Sequence, residues 1–129
     1  MIGFAKLFQE MKMADSILRT KAKDFAKSIV LLCRKMKQNG VEAALVNQLL
    51  RCGTSVGANI HEAQYAQGTK DFISKFEIAL KECNESDYWL ELLYETDSIT
   101  ETDFRTYRAM CIELRRMLVS TVTTLKNKQ

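Results

Sequence analysis

Few residues in this chain have the types and spacing that covalent chemistry needs. In RCGTSVGANIHEAQYAQ, residues 51–67, Ser55 precedes the single histidine, His61, and two glycines, Gly53 and Gly57, stand four apart. A serine and a histidine could serve as nucleophile and base, but the imidazole needs an acidic partner to orient it, and no carboxylate stands at a recognisable spacing. Paired glycines could cradle a phosphate, but that loop requires a lysine directly after its second glycine, and Ala58 follows Gly57 here. A dinucleotide fingerprint needs a preceding strand, and nothing upstream alternates as a strand does. The chain therefore reads as non-enzymatic.

Metal ligands are equally sparse. Di-iron bundles use Glu-x-x-His pairs on two helices, whereas the position three residues before the one histidine is Ala58. Cys33, Cys52, Cys83 and Cys111 show no Cys-x-x-Cys spacing, although a structural zinc site wants paired ligands. If the helices run as hairpins, Cys52 and Cys83 fall nearly level, with Cys111 about a turn away. The thiols read as small buried hydrophobes in a cytoplasmic protein that keeps them reduced. No metal and no cofactor is expected. Trp89, Tyr88, Phe72 and Phe76 read as core or interface residues.

The elements that position these residues are helices. The chain has 129 residues, 47% of them hydrophobic, and no proline. That length suits one domain with a real core, and nothing breaks long helices from within. Apolar residues recur at helical spacing in four stretches. The first is Leu18, Ala22, Phe25, Ile29, Leu32 and Met36, stopping at Asn39-Gly40. The second is Leu45, Leu49, Cys52, Val56, Ile60 and Ala63, ending at Gly68. The third, capped by Thr69, is Ile73, Phe76, Leu80, Cys83, Asp87, Leu90 and Tyr94. The fourth opens on Thr100-Glu101-Thr102-Asp103, which resembles a capping box with Asp in place of Glu. It continues through Phe104, Tyr107, Cys111, Leu114, Leu118, Val122 and Leu125.

Short loops make successive helices antiparallel neighbours. The pattern thus predicts an all-α fold, an antiparallel up-down-up-down four-helix bundle over residues 15–129. Residues 1–14 form an N-terminal extension, either an amphipathic helical start through Ile2, Phe4, Leu7, Phe8 and Met11 or a disordered end. No apolar run approaches the ~18 residues that span a bilayer, and Lys6 interrupts any export-type apolar core.

Within the second helix, Gly53 and Gly57 share a face. Each costs roughly 1 kcal/mol of helix propensity against alanine, which close approach by a neighbouring helix could offset. Arg51, Ser55, Asn59 and Glu62 line a different, polar face. Mirror positions in a hairpin turning at Gly68 put Arg51 near Glu85, Asn59 near Glu77, and Glu62 level with Ser74 and Lys75. These residues either form a polar seam that sets helix register or simply face water.

The stretches LLRCGTSVGANIHEA, 49–63, and DFISKFEIALKECNESDYWL, 71–90, resemble a family of bacterial four-helix-bundle proteins. It includes proteins encoded by intervening sequences in large-subunit ribosomal RNA genes and the accessory variability protein of diversity-generating retroelements. The resemblance covers roughly residues 15–125. It implies a ring, typically a homopentamer, and for the retroelement member it implies binding to nucleic acid and to a reverse transcriptase. The chain departs from the family pattern at Ala63, where glycine is common, and at Tyr65, Ala66 and Gln67, where an arginine often falls.

Charge is strongly segregated. The formal net charge is only +3, yet residues 1–38 carry nine Lys/Arg against three Asp/Glu, residues 39–104 four against twelve, and residues 105–129 six against one. In a bundle the basic first and last helices lie side by side, with the acidic pair opposite. Lys21, Lys23, Lys27, Arg34, Lys35, Arg105, Arg108, Arg115 and Arg116 are the candidate phosphate contacts for RNA or DNA. The same asymmetry suits head-to-tail self-assembly, basic face on acidic face, closing as a ring. A solvated charged surface, or a protein–protein module without a nucleic-acid partner, would also fit. No membrane partner is expected.

Overall fold

The computed structural model describes residues 3–128, with side chains left undescribed at Leu7, Phe8 and residues 10–15. Four helices follow in order: α1, Phe4–Gln38; α2, Ala43–Ala63; α3, Thr69–Glu95; and α4, Glu101–Asn127. There is no strand among the described residues, and no helix of theirs is long and apolar enough to cross a membrane. Ile2 and the side chains of Leu7, Phe8 and Met11, part of the expected N-terminal stripe, lie outside the described residues. Phe4 belongs to α1, and its ring meets Phe72 edge-on with centroids 5.9 Å apart.

The chain reverses where the sequence changes chemistry. After α1, the Gly40 N–H donates to the Lys37 carbonyl and the Val41 N–H to the Met36 carbonyl, at 3.2 and 3.0 Å. This paired closure needs a left-handed residue, supplied by Gly40 at φ 79°. The same closure ends α3, where the Asp97 and Ser98 N–H groups donate to the Tyr94 and Leu93 carbonyls. There the left-handed residue is Asp97, at φ 58°, a side chain that tolerates this region better than most. Thr100 caps α4 as expected, its hydroxyl oxygen accepting from the Asp103 N–H at 3.1 Å.

Two expected boundaries move. The stretch from Arg51 is unbroken helix, but it ends at Ala63 rather than at Gly68. Tyr65 and Ala66 already donate to carbonyls three residues back, Glu62 and Ala63, which tightens the chain out of the helix. Thr69 is the first residue of α3, not its cap. Gly68 takes the cap position without a side-chain bond, and Asp71 reaches back instead, its carboxylate accepting from the Gln67 N–H at 3.1 Å.

The core follows the apolar stripes with one change of phase. All six stripe residues of α1 are buried. In α2 the buried residue near the start is Val46, with Leu45 only half-buried. In α3 the expected Ile73 is buried, beside a buried series made of Phe72, Phe76, Ala79, Cys83, Ser86, Leu90 and Leu93. They step by four and three in turn, the spacing of a seam between packed helices. Phe76, Cys83 and Leu90 fit both this series and the expected one. Leu80, Asp87 and Tyr94 instead flank the core: Asp87 accepts from Arg108 at 3.1 Å, and Tyr94 stacks on Phe104 with centroids 4.4 Å apart.

Helix α2 packs on α1 and α3, α3 packs on α4, and α1 meets α4 more sparingly. Partner numbers fall as a helix's own numbers rise. Gly53 faces Ile29 and Gly57 faces Ala22; Arg51 meets Glu82 and Glu85, while Glu62 meets Lys75. Arg108 meets Asp87 while Lys126 meets Glu77, and Lys21 meets Glu113 while Lys35 meets Asp103.

The two glycines differ. A Cβ at Gly53 would stand 2.9 Å from Ile29 Cγ2 and 3.1 Å from its Cγ1, whereas one at Gly57 would meet Ala22 atoms at 3.5–3.6 Å. The β-branched, fully buried Ile29 has little freedom to retreat. Gly53→Ala is therefore expected to lower stability by about 1–2 kcal/mol, since overpacking outweighs the gain in helix propensity. Gly57→Ala is expected to leave stability unchanged or raise it by up to about 1 kcal/mol. Urea unfolding followed by circular dichroism compares the two.

Candidate functional site

The polar face of α2 meets α3, and one residue there organises the contact. Arg51 pairs with Glu85 and donates to Glu82 at 3.1 Å. The same Glu85 oxygen accepts from Trp89 Nε1 at 3.2 Å, so guanidinium and indole are held by one carboxylate. Glu62 reaches Lys75 at 3.6 Å. Ser55 and Asn59 act locally: the Asn59 amide donates to the Ser55 carbonyl at 2.9 Å and to its hydroxyl at 3.2 Å. Glu77 does not join them. It turns to α4 and accepts from Lys126 at 2.7 Å, because α3 presents that position to the other neighbour.

The sequence reasoning missed Glu82 and Ser86. Glu82 lies one turn before Glu85 on the same flank of α3. Ser86, a polar residue in the buried four-three series, donates to the Glu82 carbonyl at 2.9 Å and to Cys52 Sγ at 3.3 Å. Its place in that series was the available signal. Ser55 and His61 share no hydrogen bond; the His61 ring lies against Tyr65, centroids 5.7 Å apart.

The four cysteines are buried free thiols. The sulfurs of Cys83 and Cys111 lie 3.8 Å apart across α3 and α4. Among the described residues no three His, Cys, Asp or Glu side chains converge as metal ligands would. Burial pushes the Cys33 thiol up from 9.0 to about 11. Burial does the same for Cys52, again to about 11, against a smaller opposing effect of the Ser86 hydrogen bond. Cys111 is also pushed up, by its hydrogen bond with Cys83 and then by burial. These sulfurs are held as thiols, the form that neither attacks electrophiles nor binds metal well.

The nine candidate basic residues divide. Lys21 pairs with Glu113, Lys35 with Asp103 at 2.8 Å, Arg105 with Glu101 at 3.0 Å and Arg108 with Asp87 at 3.1 Å. The hydrogen bond to Asp103 and its charge hold Lys35 above the usual lysine value. Lys23, Lys27, Arg34, Arg115 and Arg116 are exposed and have no ion pair among the described residues. Lys23 borders α2 rather than α4, on a groove it shares with His61.

Four helices in this order, with Arg51 and Glu62 of α2 paired to α3, have counterparts among known proteins. Residues 14–120 match the family described as 23S rRNA-intervening sequence protein. The chain belongs to this family. It is also similar to a crystal structure of a protein with unknown function from the S23 ribosomal protein family of Bacteroides thetaiotaomicron. The two are 40% identical, with a TM-score of 0.82, over 85% of this chain and 98% of that one. No curated protein matches it.

The raised thiols give a pH dependence with a definite sign. The unfolded chain loses its thiol protons near pH 9, before the folded chain does, so stability falls as pH rises. The contribution of Cys33 and Cys52 is fully present below about pH 9 and is lost towards pH 11. It amounts to about 3 kcal/mol per thiol at most. Urea midpoints should fall over that range in the natural chain, and fall less in a Cys33→Ala/Cys52→Ala variant.

Proposed function

We propose that the protein is a non-enzymatic, homo-oligomeric scaffold. Its four helices form one antiparallel up-down-up-down bundle over residues 15–129, and the bundles join as a ring, a pentamer. The outer side of α1 and α4 then contacts nucleic acid. The observation that carries this is the segregated charge: basic first and last helices around an acidic middle pair. Helix contacts between α1 and α4 support a shared basic side. Lys27, Arg34, Arg115 and Arg116 contribute most, because no carboxylate of the described residues neutralises them. Such a surface meets phosphates without reading bases. The names of the family and its relative refer to ribosomal RNA and a ribosomal protein, which makes RNA the nucleic acid to test first.

A protein–protein module without nucleic acid is the second possibility. Two observations favour it. Lys21, Lys35, Arg105 and Arg108 are already paired within the chain. Tyr88 is 60% exposed beside Trp89, their rings 5.0 Å apart, an aromatic anchor of the kind interfaces use. A reverse transcriptase would be a partner of this class.

Light scattering should give the mass of five chains, and a monomer at working concentration would remove the ring. Fluorescence anisotropy with a single-stranded RNA should show binding at low salt, its log K falling by about 0.7 per phosphate contacted for each decade of salt. A Lys27→Ala/Arg34→Ala/Arg116→Ala variant should reduce that slope by about 2. A salt-insensitive affinity, or none at low salt, would leave the protein–protein module.

A further inference from the structure

The buried thiols have partners of different kinds. Cys33 donates to the Val46 carbonyl at 3.7 Å, and Cys52 accepts from the Ser86 hydroxyl at 3.3 Å. Cys83 and Cys111 instead face one another where α3 packs on α4. Their sulfurs are 3.8 Å apart. Each also lies against the other's main chain: Cys83 Sγ is 3.4 Å from the Cys111 carbonyl oxygen, and Cys111 Sγ is 3.3 Å from that of Cys83. The contact is reciprocal, so the two helix backbones pass close to one another at this level.

This arrangement has the parts of a disulfide. Such a bond needs Cβ atoms about 3.5–4.5 Å apart and sulfurs that can close to about 2.05 Å. Two sulfurs already in contact, each also touching the facing main chain, meet the first need. Rotation about the two Cα–Cβ bonds and a slight approach of the helices supply the second. Both residues are buried, but packing does not require sulfur on both sides, since free cysteine fills a core as any small hydrophobe does.

We propose that Cys83 and Cys111 are a redox-responsive pair, which a peroxide closes into a disulfide tying α3 to α4 and a small dithiol reopens. One sulfur, as thiolate, attacks a peroxide oxygen. An S–O bond forms, the O–O bond breaks, and the hydroxide released leaves as water with the proton that the thiol gave up. The second sulfur then attacks the sulfenic sulfur. The S–S bond forms, the S–O bond breaks, and the oxygen leaves as a second water with the second thiol's proton. Two thiols and one hydrogen peroxide thus give one disulfide and two waters. Reopening transfers two electrons and two protons from the dithiol, which becomes a disulfide itself. Because the partner sulfur is in contact, it captures the sulfenic acid ahead of further oxidation. Burial keeps the attacking thiolate scarce, so closure is slow and answers sustained oxidant; the reduced pair is filling for the core. The pair stands or falls independently of what the outer side of α1 and α4 contacts.

The test is oxidation of the folded full chain with millimolar hydrogen peroxide at about pH 8, where thiolate is less scarce. Catalase then removes the peroxide, the remaining thiols are alkylated in urea, and the peptides are mapped by mass. The expected product contains a Cys83–Cys111 link and alkylated Cys33 and Cys52, and dithiothreitol restores all four thiols. The link joins positions 28 apart in the chain and should raise the urea midpoint by about 1 M. Cys33→Ala/Cys52→Ala should still form it at the natural rate. Cys83→Ala and Cys111→Ala should each abolish it, with helix content intact by circular dichroism. A folded natural chain that keeps its thiols reduced, while the same treatment in urea links them, would overturn the proposal. So would a map dominated by links through Cys33 or Cys52, or one in which Cys83 and Cys111 are carried to sulfinic acid unlinked.

Discussion

The spacing of α1 and α2 is fixed where Ile29 occupies the volume that a side chain at position 53 would need. A buried β-branched residue against a glycine is a hard contact, with little slack on either side. Other features follow from it. Cys33, one turn along α1, comes close enough to donate to the Val46 carbonyl at 3.7 Å. Gly57, one turn along α2, lies near the Ala22 carbonyl. The same approach sets the width of the groove beside Lys23 and His61, since both walls belong to these two helices.

Charge works at a different level. The acidic middle of the chain and its basic ends are partly matched inside the molecule, through Lys35–Asp103, Arg108–Asp87 and Lys126–Glu77, and Lys21–Glu113 joins the two basic ends to each other. All four bridges join different helices, and their partners are at least partly exposed, so they contribute more to register than to stability. Among the described residues Lys27, Arg34, Arg115 and Arg116 remain without an ion pair on α1 and α4, and so do Lys70 and Lys81 on α3. Burial of sulfur acts oppositely: it favours the neutral thiol and leaves these groups as filling for the core.

Much of the helical order was legible, and the reasons are local. Asn39-Gly40 could end a helix in one way, and Gly40 does so in the left-handed region. Thr100 and Asp103 had the spacing of a cap, and they make one. The phase of α3 was less legible, because Phe76, Cys83 and Leu90 satisfy two overlapping series. The decision came from which flank met α2 and which met α4, a tertiary fact. Arg51 with Glu85 could be read from hairpin symmetry, whereas Glu77 obeyed a competing partner on α4. The groove had no sequence signal. It arises from Lys23 and Ala26 on α1 and from Gly57, Ala58 and His61 on α2, whose convergence depends on how the two helices lie together.

The sparse meeting of α1 with α4 has a consequence for how the chain comes together. The α1–α2, α2–α3 and α3–α4 contacts join neighbours in sequence, so each needs only a short loop to close and forms with little entropy lost. Docking the first helix on the last closes nearly the whole chain and gains the least contact in return. On the contacts of the described residues, that edge is expected to close last during folding and to open first in the folded molecule. Amide exchange there should report local opening rather than global unfolding.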